Sequence, residues 1–158
     1  MSDQTTFLTP AAYEKLEAEL EHLTTEGRRE IEERIAEARS HGDLRENADY
    51  DAAKNDQGLM EARIRKLKHL IDNAEVREVE DSDTVQVGTV VTVVDDDGDE
   101  MEYFVAPQEN KAGGMLLASP TSPLGSALIG ASAGDKVSYE APAGTFTVEV
   151  KSVRPYSA

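Results

Sequence analysis

Two apolar stripes at helical spacing, running in mirror image about one acidic hexapeptide, constrain this chain more than any other feature. In the first stripe Tyr13, Leu16, Leu20, Leu23, Gly27, Ile31, Ile35 and Ala38 recur three or four residues apart, as one face of a helix requires. Ala52, Met60, Ile64, Leu67, Ile71 and Ala74 form the second. Antiparallel pairing matches 13 with 74, 16 with 71, 20 with 67, 23 with 64, 27 with 60 and 35 with 52, so the fold-back point falls between Asp43 and Leu44. One position resists, because Ile31 would face Asp56. Each arm runs roughly 30 residues, or about 45 Å at 1.5 Å rise per residue. The pattern predicts an antiparallel coiled-coil hairpin with the hexapeptide GDLREN, positions 42 to 47, at its turn.

Local signals set the ends of the arms. The start MSDQTTF is polar and reads as loose. Thr9 supplies an N-cap hydroxyl, Pro10 occupies the first helical position, and Leu8 is placed to staple onto Tyr13. The first helix is therefore expected from about 10 to Ser40, with Gly42 allowing the reversal and the second helix restarting near Glu46. Gly58 inside that helix costs roughly 1 kcal/mol against Ala. It implies either close packing or flexibility there.

From about Val76 the period changes from helical to alternating. EVEDSDT is a polar linker into VQVGTVVTVV, a strand pattern, and DDDGDE at 95 to 100 turns it into a second strand, Met101 to Ala106. Met115 to Ala118 reads as a short third strand, Leu124 to Ile129 as a brief helix, and Lys136 to Glu140 and Thr145 to Val153 as the last two strands. The chain is thus α+β, with an N-terminal helical hairpin over 1–78 and a C-terminal antiparallel sheet domain carrying one short helix over 79–158.

Composition narrows the function. The net charge is −16, divided as −8 for residues 1–80 and −8 for residues 81–158, which repels free nucleic acid. The basic residues nevertheless gather in the hairpin. Most read as solvated helix faces with i to i+4 pairs such as Glu30 with Arg34 and Glu61 with Arg65. Arg39 and Lys54 differ in lying close to the turn. Absence of Cys removes disulfides and thiolate metal sites, and no apolar run is long enough for a signal peptide or a membrane span. A monomeric cytoplasmic protein is expected.

The turn concentrates acid: Asp43 and Glu46 lie three apart, with Asp49 and Asp51 following. One reading makes Asp43 the N-cap of the second helix and Glu46 its capping-box partner. The other makes the pair ligands of a divalent metal, although Mg²⁺ takes about six oxygens and two side chains supply only part of that set. A partner with further carboxylates or phosphates has to complete such a site.

LTPAAYEKLEAEL at the start, ARSHGDLRENADYDAAK at the turn, QGLMEARIRKLKHLIDNAEV along the second arm and SPTSPLGSALIGASAGD in the sheet domain occur in order over nearly the whole chain. Together they resemble the bacterial Gre transcript-cleavage factors, nearer the GreA type. The resemblance implies that the hairpin enters the secondary channel of RNA polymerase and that the C-terminal domain is FKBP-like and docks at the channel mouth. It implies that Asp43 and Glu46 hold a second Mg²⁺, shared with the polymerase, and position the attacking water. Arg39 and Lys54 then meet the 3′ end of the nascent RNA, and the protein is a cofactor that activates the polymerase rather than an enzyme. Where the family stretch GRALIGK leads one to expect basic residues, this chain has Ser126 and Ala131.

Three further expectations come from the residues. The loop of Ser119, Pro120, Ser122, Pro123, Leu124 and Gly125 is a candidate partner-binding surface, since its prolines fix the backbone and leave polar groups free, or else a plain connector. Prolyl isomerase activity is not expected, because Phe104 and Phe146 alternate into the core and leave few aromatics for a proline pocket. His41 beside the turn stands alone, far along the arms from His22 and His69, and reads as incidental rather than catalytic. Two other functions remain: a binding-only regulator of the same channel, and a coiled-coil adaptor, which needs an apolar outer face where this hairpin is charged.

Overall fold

The computed structural model describes residues 5–42 and 47–156, which divide into two units. The helical unit is Tyr13–Asn73; the sheet unit takes the residues up to Ala12 and those from Ala74 onward.

Helix α1 (Pro10–His22), a π-helical turn (Leu23–Gly27) and helix α2 (Arg28–Ser40) make one unbroken helical run, since His22, Gly27 and Arg28 all keep right-handed helical dihedrals. The expected N-cap holds, with the Ala12 N–H donating to the Thr9 hydroxyl at 3.1 Å. The π turn was not foreseen. It is supported by Thr24 and Thr25, whose hydroxyls donate back to the Leu20 and Glu21 carbonyls at 2.8 and 2.7 Å and so compensate a widened backbone ladder.

Helix α3 (Ala48–Asp72) returns against α2. The pairing of position 27 with 60 is realised, because a Cβ on Gly27 would sit 3.2 Å from the Met60 sulfur. The rest of the second stripe is displaced by one residue at each end. Ala53 is buried where Ala52 was expected, and Leu70 is buried while Ile71 stays half-covered. Ile31, Ile35 and Ala53 form the inner cluster with Tyr50 and Met60. Asp56 faces Arg34 at 3.0 Å and leaves Ile31 apolar neighbours, which removes the one mismatch of the expected register. A Cβ on Gly58 would meet nothing within 4 Å, so close packing is not the reason for that glycine.

Among the described residues the sheet unit holds two sheets. Strands β1 (Thr6–Leu8) and β2 (Ala74–Val76) pair in parallel, with Phe7 and Leu8 buried, so Thr6 and Phe7, expected to be loose, lie in a strand. Strands β3 (Thr89–Val94), β4 (Glu100–Val105), β5 (Leu116–Ala118), β6 (Lys136–Ala141) and β7 (Gly144–Pro155) form a sheet in the order β5-β4-β3-β7-β6. It is antiparallel except at the β4/β5 edge, which is parallel. Central β3 is covered on both sides: Val91 and Val93 join the larger core with Leu128 and Val150, while Val90 joins Phe7, Phe104 and Ala106. Continuous burial explains why its sequence runs apolar rather than alternating. The strand begins later than expected because Gly88 has φ +101° and a Cβ there would strike Val79. Phe146 is 42% exposed, contrary to its expected place in the core, and stacks on Tyr139 with centroids 5.7 Å apart.

Candidate functional site

Residues 43–46 lie outside the described part of the chain, and with them Asp43 and Glu46. Both flanks are described. Helix α2 closes with the His41 N–H on the Ala38 carbonyl at 3.2 Å and the Gly42 N–H on Arg39 at 3.4 Å, after which Gly42 adopts φ +106°, a conformation open to glycine at little cost. Asn47 is extended and caps α3, its side-chain oxygen accepting from the Tyr50 N–H at 3.0 Å. The cap of the second helix is therefore Asn47. That overturns the reading in which Asp43 and Glu46 exist to cap this helix.

The charged groups beside the link fall into place around these ends. Arg39 is exposed in the last turn of α2, its guanidinium carbon 5.8 Å from the centroid of the Tyr50 ring, close enough for a cation–π contact. Lys54 is exposed in the second turn of α3, donating to the Gln57 amide oxygen at 2.9 Å. His41 Nδ1 stands 4.0 Å from an Asp49 carboxylate oxygen, and these two share a depression with Arg34, Glu37, Ala38 and Ala52. Asp51 is exposed.

Farther along the hairpin Arg28 and Arg63 are engaged across the helices, whereas Arg29 pairs along its own helix with Glu33 at 3.6 Å. Arg28 grips Glu61 through Nε at 3.0 Å and Nη2 at 2.9 Å, and Arg63 grips Glu19 through Nε at 2.7 Å and Nη2 at 2.8 Å. The expected Glu30–Arg34 and Glu61–Arg65 pairs give way to these and to Arg34–Asp56. A bidentate fork between helices satisfies a carboxylate better than a flexible partner one turn away. The Arg28 and Arg63 guanidinium groups accordingly hold the carboxyls of Glu61 and Glu19 below the usual glutamate range.

In the sheet unit the loop expected to offer free polar groups spends them internally. Ser122 caps helix α4 (Pro123–Leu128), accepting from the Gly125 N–H at 3.0 Å and donating to the Ser119 carbonyl at 2.7 Å, while the Ser119 and Thr121 hydroxyls bond each other at 2.9 Å. Gly125 is buried, and a Cβ there would lie 1.9 Å from the Ser119 oxygen. Pro123 is exposed, whereas Ser119, Pro120, Ser122 and Leu124 are half-buried. Of the two positions expected to be basic, Ser126 is exposed and Ala131 is buried in the core, where a charge is excluded. Tyr103, Tyr139 and Phe146 line one hollow with Met101 and Leu124, and burial pushes the Tyr103 hydroxyl up in pKa, with Tyr139 adding to it.

The helical hairpin and the mixed sheet each correspond to a known domain. Residues 6–76 match the N-terminal domain of the GreA/GreB transcription elongation factors, and residues 80–155 match their C-terminal domain. The chain belongs to the GreA/GreB transcription elongation factor family. The transcription elongation factor GreA of Streptomyces coelicolor is 41% identical over 99% of this chain and 97% of its own length. That of Chloroflexus aurantiacus is 42% identical over 98% of this chain and 100% of its own. Among solved structures, GreA factor homolog 1 of Thermus thermophilus is 27% identical over 96% of this chain and 99% of that one, with a TM-score of 0.45. Like the family as a whole, this chain pairs the helical and sheet units in that order. No helix among its described residues is long and apolar enough to cross a membrane.

Proposed function

We propose that this Gre-family chain binds bacterial RNA polymerase through the secondary channel, hairpin turn foremost, and stimulates the polymerase's own hydrolysis of backtracked nascent RNA. The observation that carries this reading is the start of α3. Its cap is Asn47, so neither Asp43 nor Glu46 has that structural duty, in a chain matched along its length by GreA elongation factors.

Asp43 and Glu46 offer about four oxygens at most, too few for Mg²⁺ by themselves and suited to a site that another protein completes. Asp43 and Glu46 would hold that Mg²⁺, which would supply positive charge to stabilise the oxygens of the phosphodiester displacement. Asp43 and Glu46 orient the attacking water by hydrogen bonding to it. Arg39 and Lys54, exposed on the two helices beside the turn, meet the phosphates at the RNA 3′ end. The chain contributes ligands and orientation; the bond is broken in the polymerase.

A stalled, backtracked polymerase complex tests the reading with wild type and an Asp43→Asn, Glu46→Gln double variant. The variant is expected to bind polymerase as wild type does and to lose stimulated cleavage. Equal cleavage by both proteins rejects the metal role. Binding without cleavage by wild type assigns the chain to the regulators that occupy the channel only.

A further inference from the structure

We infer that Tyr50 is a positioning residue for Arg39: its ring holds the guanidinium without cancelling the charge, and so keeps that group available to a phosphate. The inference rests on the RNA contact proposed above for Arg39.

The contact joins the two arms of the hairpin. Arg39 lies in the last turn of α2 and Tyr50 in the first turn of α3, with the guanidinium carbon over the ring at 5.8 Å from its centroid. That distance falls within the roughly 6 Å over which a ring face attracts a cation. The ring is itself fixed. Tyr50 is half-buried and packs against the cluster of Ile31, Ile35 and Ala53, while its N–H is taken by the Asn47 side chain at 3.0 Å. Arg39 is exposed, so an anchored ring holds a cation that solvent reaches.

How an arginine is held decides what it can still bind. Arg28, Arg29, Arg34 and Arg63 on the same hairpin each face a carboxylate within 3.6 Å, which cancels the charge and occupies part of the fork. No carboxylate pairs with Arg39 among the described residues. A ring attracts the guanidinium through its quadrupole and brings no opposite charge, so both the positive charge and the planar fork remain for a bidentate phosphate. A long side chain pinned in this way also has less rotamer freedom to lose when the phosphate arrives. The Tyr50 hydroxyl takes no part, having no hydrogen-bond partner among the described residues.

The test uses the full chain as wild type, Tyr50→Phe and Tyr50→Leu, each also in an Arg39→Gln background. Leu keeps apolar bulk against Ile31, Ile35 and Ala53 and removes the aromatic face; Phe keeps the face and removes the hydroxyl. By NMR the Arg39 side-chain methylene protons should carry a ring-current shift in wild type and Tyr50→Phe that disappears in Tyr50→Leu. On backtracked polymerase complexes Tyr50→Phe should match wild type, and Tyr50→Leu should stimulate cleavage about two- to fivefold less, the worth of one exposed cation–π contact. In the Arg39→Gln background Tyr50→Leu should add no loss, because its effect passes through the guanidinium. Helicity and polymerase affinity should not change. Absence of the ring-current shift in wild type, or wild-type cleavage by Tyr50→Leu, overturns the inference and leaves the functional reading standing. Equal losses in Tyr50→Phe and Tyr50→Leu overturn it too, by assigning the role to the hydroxyl. So does a loss that persists without Arg39 or that comes with lost helicity or polymerase affinity, since Tyr50 then serves the stability of the hairpin. Wild type that stimulates no cleavage rejects the functional reading instead, and the positioning role falls with it even where the ring contact is seen.

Discussion

Arg28 and Glu61 face each other across the hairpin in a two-bond fork, Nε to Oε2 at 3.0 Å and Nη2 to Oε1 at 2.9 Å, and Arg63 with Glu19 repeats the arrangement. Both carboxyls are held below the ordinary glutamate value of 4.5, mainly by the guanidinium hydrogen bonds and against the desolvation of each site. A carboxylate with a depressed folded pKa stabilises the fold above its unfolded value, and that stabilisation is lost as the pH falls through the folded value.

The hairpin should therefore keep its full helical stability above about pH 4.5 and lose part of it progressively below. Thermal melts of the helical signal between pH 6 and pH 3 measure this. In a Glu19→Gln, Glu61→Gln double variant the acid dependence should be shallower and the neutral-pH melting temperature lower. An acid profile as steep as that of wild type would remove these two pairs as its source.

Gly58 stands in the interior of α3 with open space where a side chain would go and without a positive φ. Gly58→Ala should therefore stabilise the hairpin by about 0.5–1 kcal/mol, chiefly by restricting the unfolded chain. Denaturant melts read the gain. A loss of stability would reveal a contact that the helix geometry does not contain.

Asn110 is 3% exposed and does three things at once in the sheet unit: it donates to the Phe7 carbonyl at 2.8 Å and to Pro107 at 3.1 Å, and accepts from the Thr9 N–H at 2.8 Å. Asn110→Ala strands a buried donor and a buried acceptor on the N-terminal segment. The expected cost is about 1–3 kcal/mol for each group left unpaired. Equilibrium unfolding of the full chain checks it, and a loss under about 0.5 kcal/mol, within the range of ordinary surface substitutions, counts against the bonding described.

The RNA contact proposed for Arg39 and Lys54 can be tested apart from polymerase binding. Replacing both with Gln should reduce cleavage in backtracked complexes by at least about tenfold, while polymerase affinity changes less than about threefold, since two phosphate contacts are lost and the helical hairpin is kept. Loss of both properties in equal measure would place these cations on the polymerase rather than on RNA.

Much of this protein is legible in one dimension because its determinants are local. Helix spacing in the stripes from Tyr13 to Ala38 and from Met60 to Leu67, the cap at Thr9 and Pro10, and the strands beyond Val76 depend on neighbours a few residues away, and the fold shows them. The sequence also singles out Asp43 and Glu46, whose three-residue spacing needs no partner to be noticed. Long-range choices were not legible. Which of Ala52 and Ala53 turns inward depends on the packing of α3 against a helical run that contains a π turn, and a one-residue slip leaves the apolar count almost unchanged. Arg28 had several acids within reach by spacing; only the facing helix offers Glu61 in a two-bond geometry. The parallel pairing of Thr6–Leu8 with Ala74–Val76 joins segments at opposite ends of the hairpin sequence, and Asn47 bridges Ala38 to Tyr50. Such contacts arise when the chain folds back on itself, because a hydrogen bond between distant residues is set by their position in space and leaves no periodic trace in the order of the amino acids.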